Sequence, residues 1–560
     1  MVRRILGRIA APIRGLHQAA YLLAVLTLAS QALALVRDRT FAHVFGAGRT
    51  LDLYYAAFRM PDIVFALVSS LVSAYVIIPY ITNLDRERTR ELLSESATFL
   101  LAAGGAICII LAILMPQFLS FLYPDLVASA QYGSFVFLAR ILLIQPILLG
   151  LSGVISSVTQ VHRRFLLFAV SPVLYNLGII LGTVVLYPIW GLPGLGIGVI
   201  LGAIGYLAVH IPVVMKAGVF PRFSLPTVKR MAPIVRNSVP RSLALSVNSF
   251  TLLALTAIAS RLATGDISVF TFAGNLEAVP LALIGSSYSV AAFPALSEAG
   301  EKEDRTEFTD ILSTAARHIV LWSLVALGIV AVLRAHIVRI VLGSGAFSWD
   351  ATRLTAALLA IAMVGLVVDA LELLFSRALY AIRQSWWPLA YQLATAAFTI
   401  GLAALFLILP ADRFAAPLAA LLRVSNVPGT AILLLSLANV IGQFFLVGLS
   451  LIVLRKAAPG LAKKLLLPAR DGLAAGIAGG AAAYVVLMLM GGIAPLTTLA
   501  AVLSQGLTAG VVGFAAAGLA LHLLGNKEFR VMTVAASRLW RERGRRTNVL
   551  EPSGEDPIQP

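Results

Sequence analysis

The sequence predicts an all-α polytopic membrane protein with about 14 transmembrane helices, on three observations. Apolar runs repeatedly exceed the roughly 20 residues that cross a hydrocarbon core. They are continuous in Leu, Ile, Val and Ala, with none of the period-two alternation of a membrane barrel. Of 560 residues, 59% are hydrophobic and only 12% charged. Backbone groups in hydrocarbon have no water to bond, so continuous runs of this kind satisfy themselves as helices. A single cysteine, Cys108, lies inside an apolar run and leaves no disulfide or cysteine metal site to consider.

The elements follow in order. MVRRILGRIAAPIRGLHQ is basic and merges into the first apolar run without a small-residue cleavage site, which reads as a retained cytoplasmic N-terminus over 1–19. Spans are expected near 20–36, 54–83, 95–115, 133–159, 165–187 and 193–215. After a linker at 216–234 they resume near 238–260, 270–297, 315–333, 352–376, 386–409 and 430–454, and two more lie at 471–491 and 497–524. Of the 43 Lys and Arg, 30 precede the first span, follow the last, or fall in even-numbered connections. The positive-inside rule therefore places both termini in the cytoplasm and the turn after the first span outside. The net charge of +17 sets orientation in this way, and nucleic acid is not an expected partner. The tail at 526–560 reads as a basic interfacial helix around RLWRERGRR followed by a disordered end.

An internal repeat is visible at an offset of about 220 residues. Gly46 and Pro61 match Gly265 and Pro280, Arg37 matches Arg261, and VHRRF at 161–165 matches AIRQS at 381–385, pairing Arg163 with Arg383. Six helices per copy, an even number, give the copies the same orientation. The expected organisation is an N-lobe at 20–215, the linker, a C-lobe at 235–454 facing it across a central cavity, and two further helices within 455–525.

The stretch ALVRDRTFAHVFGAGRTLDLYYAAFRMPD resembles the signature of the MurJ/MviN family, lipid II flippases of the multidrug/oligosaccharidyl-lipid/polysaccharide exporter superfamily. RRFLLFAVSPVLYN, ASRLATGDISVFTFAGNLEAVPLALIGSSYSVAAFPALSE and YAIRQSWWP are similar to further family segments. The resemblance implies a V-shaped pair of lobes in the bacterial inner membrane that carries an undecaprenyl-pyrophosphate-linked peptidoglycan precursor outward by alternating access. It also implies membrane lipids and peptidoglycan synthesis proteins as partners. Departures are visible: Ser30-Gln31 stands where the family has serine-arginine, Phe65, Ala66 and Ser70 replace arginines and a glutamate, and Gly274-Asn275 replaces an aspartate-arginine pair, with Glu277 displaced by one. These bear on the substrate more than on the fold.

The charges near the first outer turn are then candidates for a cavity rim. A guanidinium can donate two parallel charge-assisted hydrogen bonds to phosphate oxygens. On this reading Arg37, Arg39 and Arg59, with Asp52 beside them, border a hollow that admits an anionic headgroup; Arg261, Asn275 and Glu277 take the corresponding place in the second copy. The alternative is local pairing with Asp38, Asp52 and Asp62, or contact with lipid headgroups. Asp369 and Glu372, three apart, share a helix face and are candidates for proton or cation coupling, or for pairing with Arg377. Arg140, within the fourth span, has no evident role. No metal spacing links the histidines, no P-loop appears, and neither a cofactor nor enzymatic chemistry is expected. Competing readings are export of another polyprenyl-linked oligosaccharide, a drug/cation antiporter, and a non-transporting scaffold of envelope synthesis.

Overall fold

The computed structural model describes residues 16–82, 84–128, 130–162, 164–491 and 498–533, and among them every regular element is helical. The chain enters through α1, Leu16–Phe45, and returns through α2, Arg49–Leu67, which continues by Ser69–Val72 into Ala74–Ile81. Twelve helices long and apolar enough to cross a membrane follow. They are α3 (Arg86–Leu122), α4 (Tyr132–Val161), α5 (Leu166–Trp190), α6 (Leu192–Ala217), α7 (Val228–Ala259, apolar from Ser238) and α8 (Asp266–Glu301), then α9 (Arg305–Val341), α10 (Trp349–Ala381), α11 (Trp386–Ile408), α12 (Ile432–Leu454), α13 (Leu461–Leu489) and α14 (Leu499–Leu523). With α1 and α2 the total reaches the expected fourteen. Helix α2 is interrupted by charge, because Arg49, Asp52, Arg59 and Asp62 fall within one 19-residue stretch. The basic start over 1–15, Arg163 and the tail from 534, including the interfacial helix expected near 538–546, lie outside the described residues.

Helices α1 to α6 pack with one another, as do α7 to α12, while α13 and α14 lean on α9. Contacts between the two groups run chiefly through α2 against α7 and α8. Helix α10 is the central post of the second group: 78% of its apolar window is buried, against 22–50% for the other crossing helices. Apart from Asp369, Glu372, Ser376 and Arg377, its sequence is apolar on nearly every side because it meets protein on nearly every side. Helices α5 and α6 touch main chain to main chain at Gly178, Gly182, Gly198 and Gly202, where an added Cβ would stand 2.3–2.8 Å from facing backbone.

Residues 218–227 run without helix from α6 to α7 and are pinned to the start of α3. Arg222 N donates to Ser94 Oγ at 2.9 Å, Thr227 Oγ1 to Glu95 Oε1 at 2.9 Å, and Arg230 Nη1 to Glu91 Oε2 at 2.9 Å. An extended segment has no internal partners for its amides, so side chains of α3 supply them.

Candidate functional site: a sealed face and an internal cavity

The turns α1–α2, α7–α8 and α9–α10 meet at one face, and their sequences show why they can. Gly46, Gly265 and Gly345 adopt φ of +61°, +95° and +58°, the left-handed region that glycine enters without cost. A Cβ on Gly46 would stand 2.5 Å from Ala346 O, one on Gly265 2.5 Å from Ala47 O, and one on Gly345 2.3 Å from His43 O. The three turns are interlocked at backbone distance. The glycine pair matched by sequence, Gly46 and Gly265, thus lies in equivalent turns on the two sides of this junction, and Pro61 and Pro280 lie inside the helices that follow.

Side chains lock the same face across the two groups of helices. Asp52, 2% exposed in the first turn of α2, accepts from Gly265 N at 2.6 Å, Ser268 N at 2.9 Å and Ser268 Oγ at 2.6 Å. It thereby caps α8, a helix of the other group, whose first amides lack partners of their own. Arg39 does the opposite at the other helix end, donating to Ile340 O at 2.6 Å where α9 runs out of donors. Between them, Arg37 pairs with Asp38 at 2.8 Å and donates to Asn176 Oδ1 of α5 at 3.1 Å, while Asn275 Nδ2 of α8 donates to Asp38 Oδ2 at 3.0 Å. Phe41, Tyr54, Tyr55, Phe272 and Phe347 pack edge-on beneath these bonds.

Below the seal, the second group of helices lines a partly open cavity of about 600 Å³. It extends from Arg59 and Thr271 to Arg241, Arg377 and Tyr380, near the opposite ends of their helices. Three carboxylates, Glu277, Asp369 and Glu372, and three guanidinium groups, Arg59, Arg241 and Arg377, line it together with Asn248, Asn275 and Gln443. Arg59 is the one lining residue from the first group; its Nε donates to Thr256 Oγ1 of α7 at 2.8 Å, and Asp62 stands 4.0 Å away. Glu372 accepts from Tyr391 Oη at 3.0 Å and from Ser376 Oγ, and Asp369 accepts from Gln443 Nε2 at 2.8 Å. Arg377 donates to Ser289 Oγ of α8. Among the described residues, Glu277 Oε1, Glu372 Oε2, Gln392 Oε1, Thr395 Oγ1 and Gln443 Oε1 are buried oxygens without a hydrogen-bond partner, and all five residues line the cavity.

The expected site residues therefore separate into two sets. Arg59, Asn275, Glu277, Asp369 and Glu372 line the cavity. Arg37, Arg39 and Asp52 do not: they form the seal, because helix ends and a buried partner lie closer to them than any hollow. Arg261 is exposed in the α7–α8 turn. Glu277 makes no ion pair with an arginine of the first group among the described residues. Sequence reasoning missed Gln443, Gln392, Thr395 and Tyr391, whose only signal was polarity inside apolar spans.

A two-part helical membrane bundle, shut at one face and hollow within, defines a transporter fold. Solved structures agree: one described as "Lipid II flippase MurJ, inward closed conformation" superposes with a TM-score of 0.68 over 90% of this chain and 99% of that one, at 20% identity. An inward-facing multidrug resistance transporter of the MATE family, of the MOP superfamily, reaches 0.62 over 77% of this chain and 96% of that one, at 15% identity. The sequence profile described as lipid II flippase MurJ matches residues 41–496, and the chain belongs to that family. It is similar to the lipid II flippase MurJ of Burkholderia cenocepacia, 27% identical over 307 residues, which cover 52% of this chain and 59% of that protein. It is also similar to a probable lipid II flippase MurJ of Thermotoga maritima, 25% identical over 380 residues, covering 67% and 76%.

Proposed function

We propose that this chain moves a lipid-linked peptidoglycan precursor, lipid II, from the inner to the outer leaflet of the bacterial inner membrane by alternating access, without enzymatic chemistry. The observation that carries this reading is the arrangement of Arg59: a guanidinium from one group of helices, held by Thr256 of the other, at the wall of a cavity lying beneath a closed face. An anionic headgroup entering from the open side meets that charge before it meets the seal, and separation of the groups releases it on the other side. Both termini lie in the cytoplasm, as the distribution of Lys and Arg requires, and the sealed face is the outer one. The two lobes, 20–215 and 235–454, are the moving bodies, and α13 and α14 travel with the second. Asp369 and Glu372, beside the unpartnered oxygens of Glu277 and Gln443, form the coupling site for a proton or cation that biases one state. Peptidoglycan synthesis proteins are its partners in the membrane.

A second reading, export of another polyprenyl-linked oligosaccharide, is favoured by one feature. Gly274, which replaces a charged residue of the family pattern, opens onto the cavity with nothing within 4 Å of a Cβ placed there. Depleting the protein and measuring lipid-linked precursors on each leaflet, by cleavage with an externally added pyrophosphate-cleaving enzyme, decides between them. Accumulation of peptidoglycan precursor protected from cleavage supports the first reading. Accumulation of a different glycan lipid supports the second, and unchanged leaflet distributions refute both.

A further inference from the structure

Arg140 has no place in the seal or the cavity. It lies in α4, eight residues inside the Tyr132 end, and is exposed. The exposure is to lipid: Phe137 and Ile144, one turn before and after it on α4, are 51% and 49% exposed, and Ile109 and Ile113 of the adjoining α3 are 63% and 65% exposed. An arginine set among such residues costs roughly 2.5–3.5 kcal/mol at mid-span on insertion scales unless its donors find acceptors.

One acceptor is supplied by α3. Pro116 has no N–H, so the carbonyl of Ala112 loses its helical donor, and Arg140 Nε donates to that oxygen at 2.8 Å. Two more polar contacts sit above it in four-residue steps along the same face of α3. Tyr132 Oη donates to Pro116 O at 3.1 Å, and Ser120 Oγ stands 3.2 Å from Tyr132 Oη. Each step is one helical turn, about 6 Å. A polar ladder thus descends from the sealed-side end of the α3–α4 groove to a guanidinium whose terminal nitrogens make no other hydrogen bond or ion pair among the described residues. Two turns nearer the Tyr132 end of α4, Gly133 leaves open space, with nothing within 4 Å of a Cβ built there. Those terminal N–H groups face hydrocarbon, where an unsatisfied donor is costly and water is scarce. The acceptor within reach of a guanidinium that snorkels toward the interface is the phosphodiester of a membrane lipid, which it binds through two parallel bonds.

We infer that the α3–α4 groove is a binding site for the phosphate headgroup of a phospholipid in the leaflet on the sealed side, with Arg140 holding the phosphate and Tyr132 and Ser120 lining its path. This site is separate from the cavity and does not depend on the transport reading. The full chain in detergent micelles doped with phosphatidylglycerol, or with diacylglycerol of the same acyl chains, is analysed by native mass spectrometry. Phosphatidylglycerol is retained and diacylglycerol is not; Arg140→Gln lowers retention by about tenfold, the loss of one good charge-assisted contact, and Arg140→Lys keeps most of it. Should Arg140→Gln fold poorly because Ala112 O is orphaned, the double variant Pro116→Ala/Arg140→Gln restores a helical donor to that oxygen and still removes the charge, and its retention falls equally. Wild-type retention in the double variant overturns the inference and leaves Arg140 as a cap for a proline-freed carbonyl. Displacement of the lipid by millimolar inorganic phosphate also overturns it, in favour of a site for soluble anions.

Discussion

Asp52→Asn tests the seal most directly. The carboxylate accepts three hydrogen bonds from the first turn of α8, two of them from main-chain amides that have no other partner while the face is closed. An amide in its place keeps one acceptor and turns an N–H toward one of those donors, so charge, cap and one bond are lost together. Hydrogen bonds to a charged group contribute about 1.5–3 kcal/mol each and a cap about 1 kcal/mol, so the closed state loses about 2–3 kcal/mol. Once the face opens, water satisfies Gly265 and Ser268 equally well in either variant, and nothing is lost there. The whole difference therefore appears as a shift of the conformational equilibrium, roughly 30- to 150-fold toward the opened face. Thr271 lines the cavity just below the seal, and Cys108 is the only native cysteine. In a Cys108→Ala, Thr271→Cys background, a membrane-impermeant maleimide added from the sealed side labels the Asp52→Asn protein faster by that factor, up to the rate of a fully open site. Labelling within twofold of the Asp52 parent, with the protein folded, refutes the assignment of Asp52 as the latch.

Four further outcomes are expected. Gly345→Ala strains a left-handed backbone and drives a Cβ into His43 O at 2.3 Å, which destabilises the closed face by upwards of about 2 kcal/mol; the same labelling assay reports it, and unchanged labelling shows that the turns tolerate separation. Arg59→Lys loses the Nε bond to Thr256 and the forked donor while keeping the charge, and lowers leaflet transfer about tenfold; Arg59→Ala abolishes it, and wild-type transfer by either variant removes Arg59 from the substrate path. Glu372→Gln removes a carboxylate from the cavity wall and eliminates the dependence of transfer on an imposed proton or sodium gradient, and a variant as gradient-dependent as its parent removes Glu372 from the coupling site. Asp471, 2% exposed on α13, accepts from Asn526 Nδ2 at 2.9 Å beyond the end of α14. Asp471→Ala leaves that buried amide without its partner and costs about 1–3 kcal/mol, read as a lower melting temperature.

Much of the fold was legible because membrane helices obey local rules. Each span needs only its own apolar length and its own backbone bonds, so counting runs reproduces α3 to α14, and the charges that interrupt α2 can be seen before any folding is considered. The glycine turns were legible for a similar reason, since a left-handed φ is demanded by the turn itself. The candidate site was legible only in part. Arg37, Arg39, Asp52 and Arg59 look alike in the sequence: charged residues near the same turn. Arg39 becomes a cap because α9, some 300 residues later, ends beside it, Asp52 because α8 begins beside it, and Arg59 faces the cavity because Thr256 holds it there.

The sequence by itself determined the class, the helices, the matched turns, and the family to which the resemblance pointed, because hydropathy, proline and glycine act over a few residues at a time. The tertiary structure alone decided which charges seal a face and which line a hollow. It also decided that Gln443 bonds Asp369 and Tyr391 bonds Glu372 at the cavity wall, and that the carbonyl freed by Pro116 meets Arg140. Those outcomes depend on which helix ends and carbonyls lack partners in space, and a buried polar group takes whichever partner the packing brings within hydrogen-bond reach.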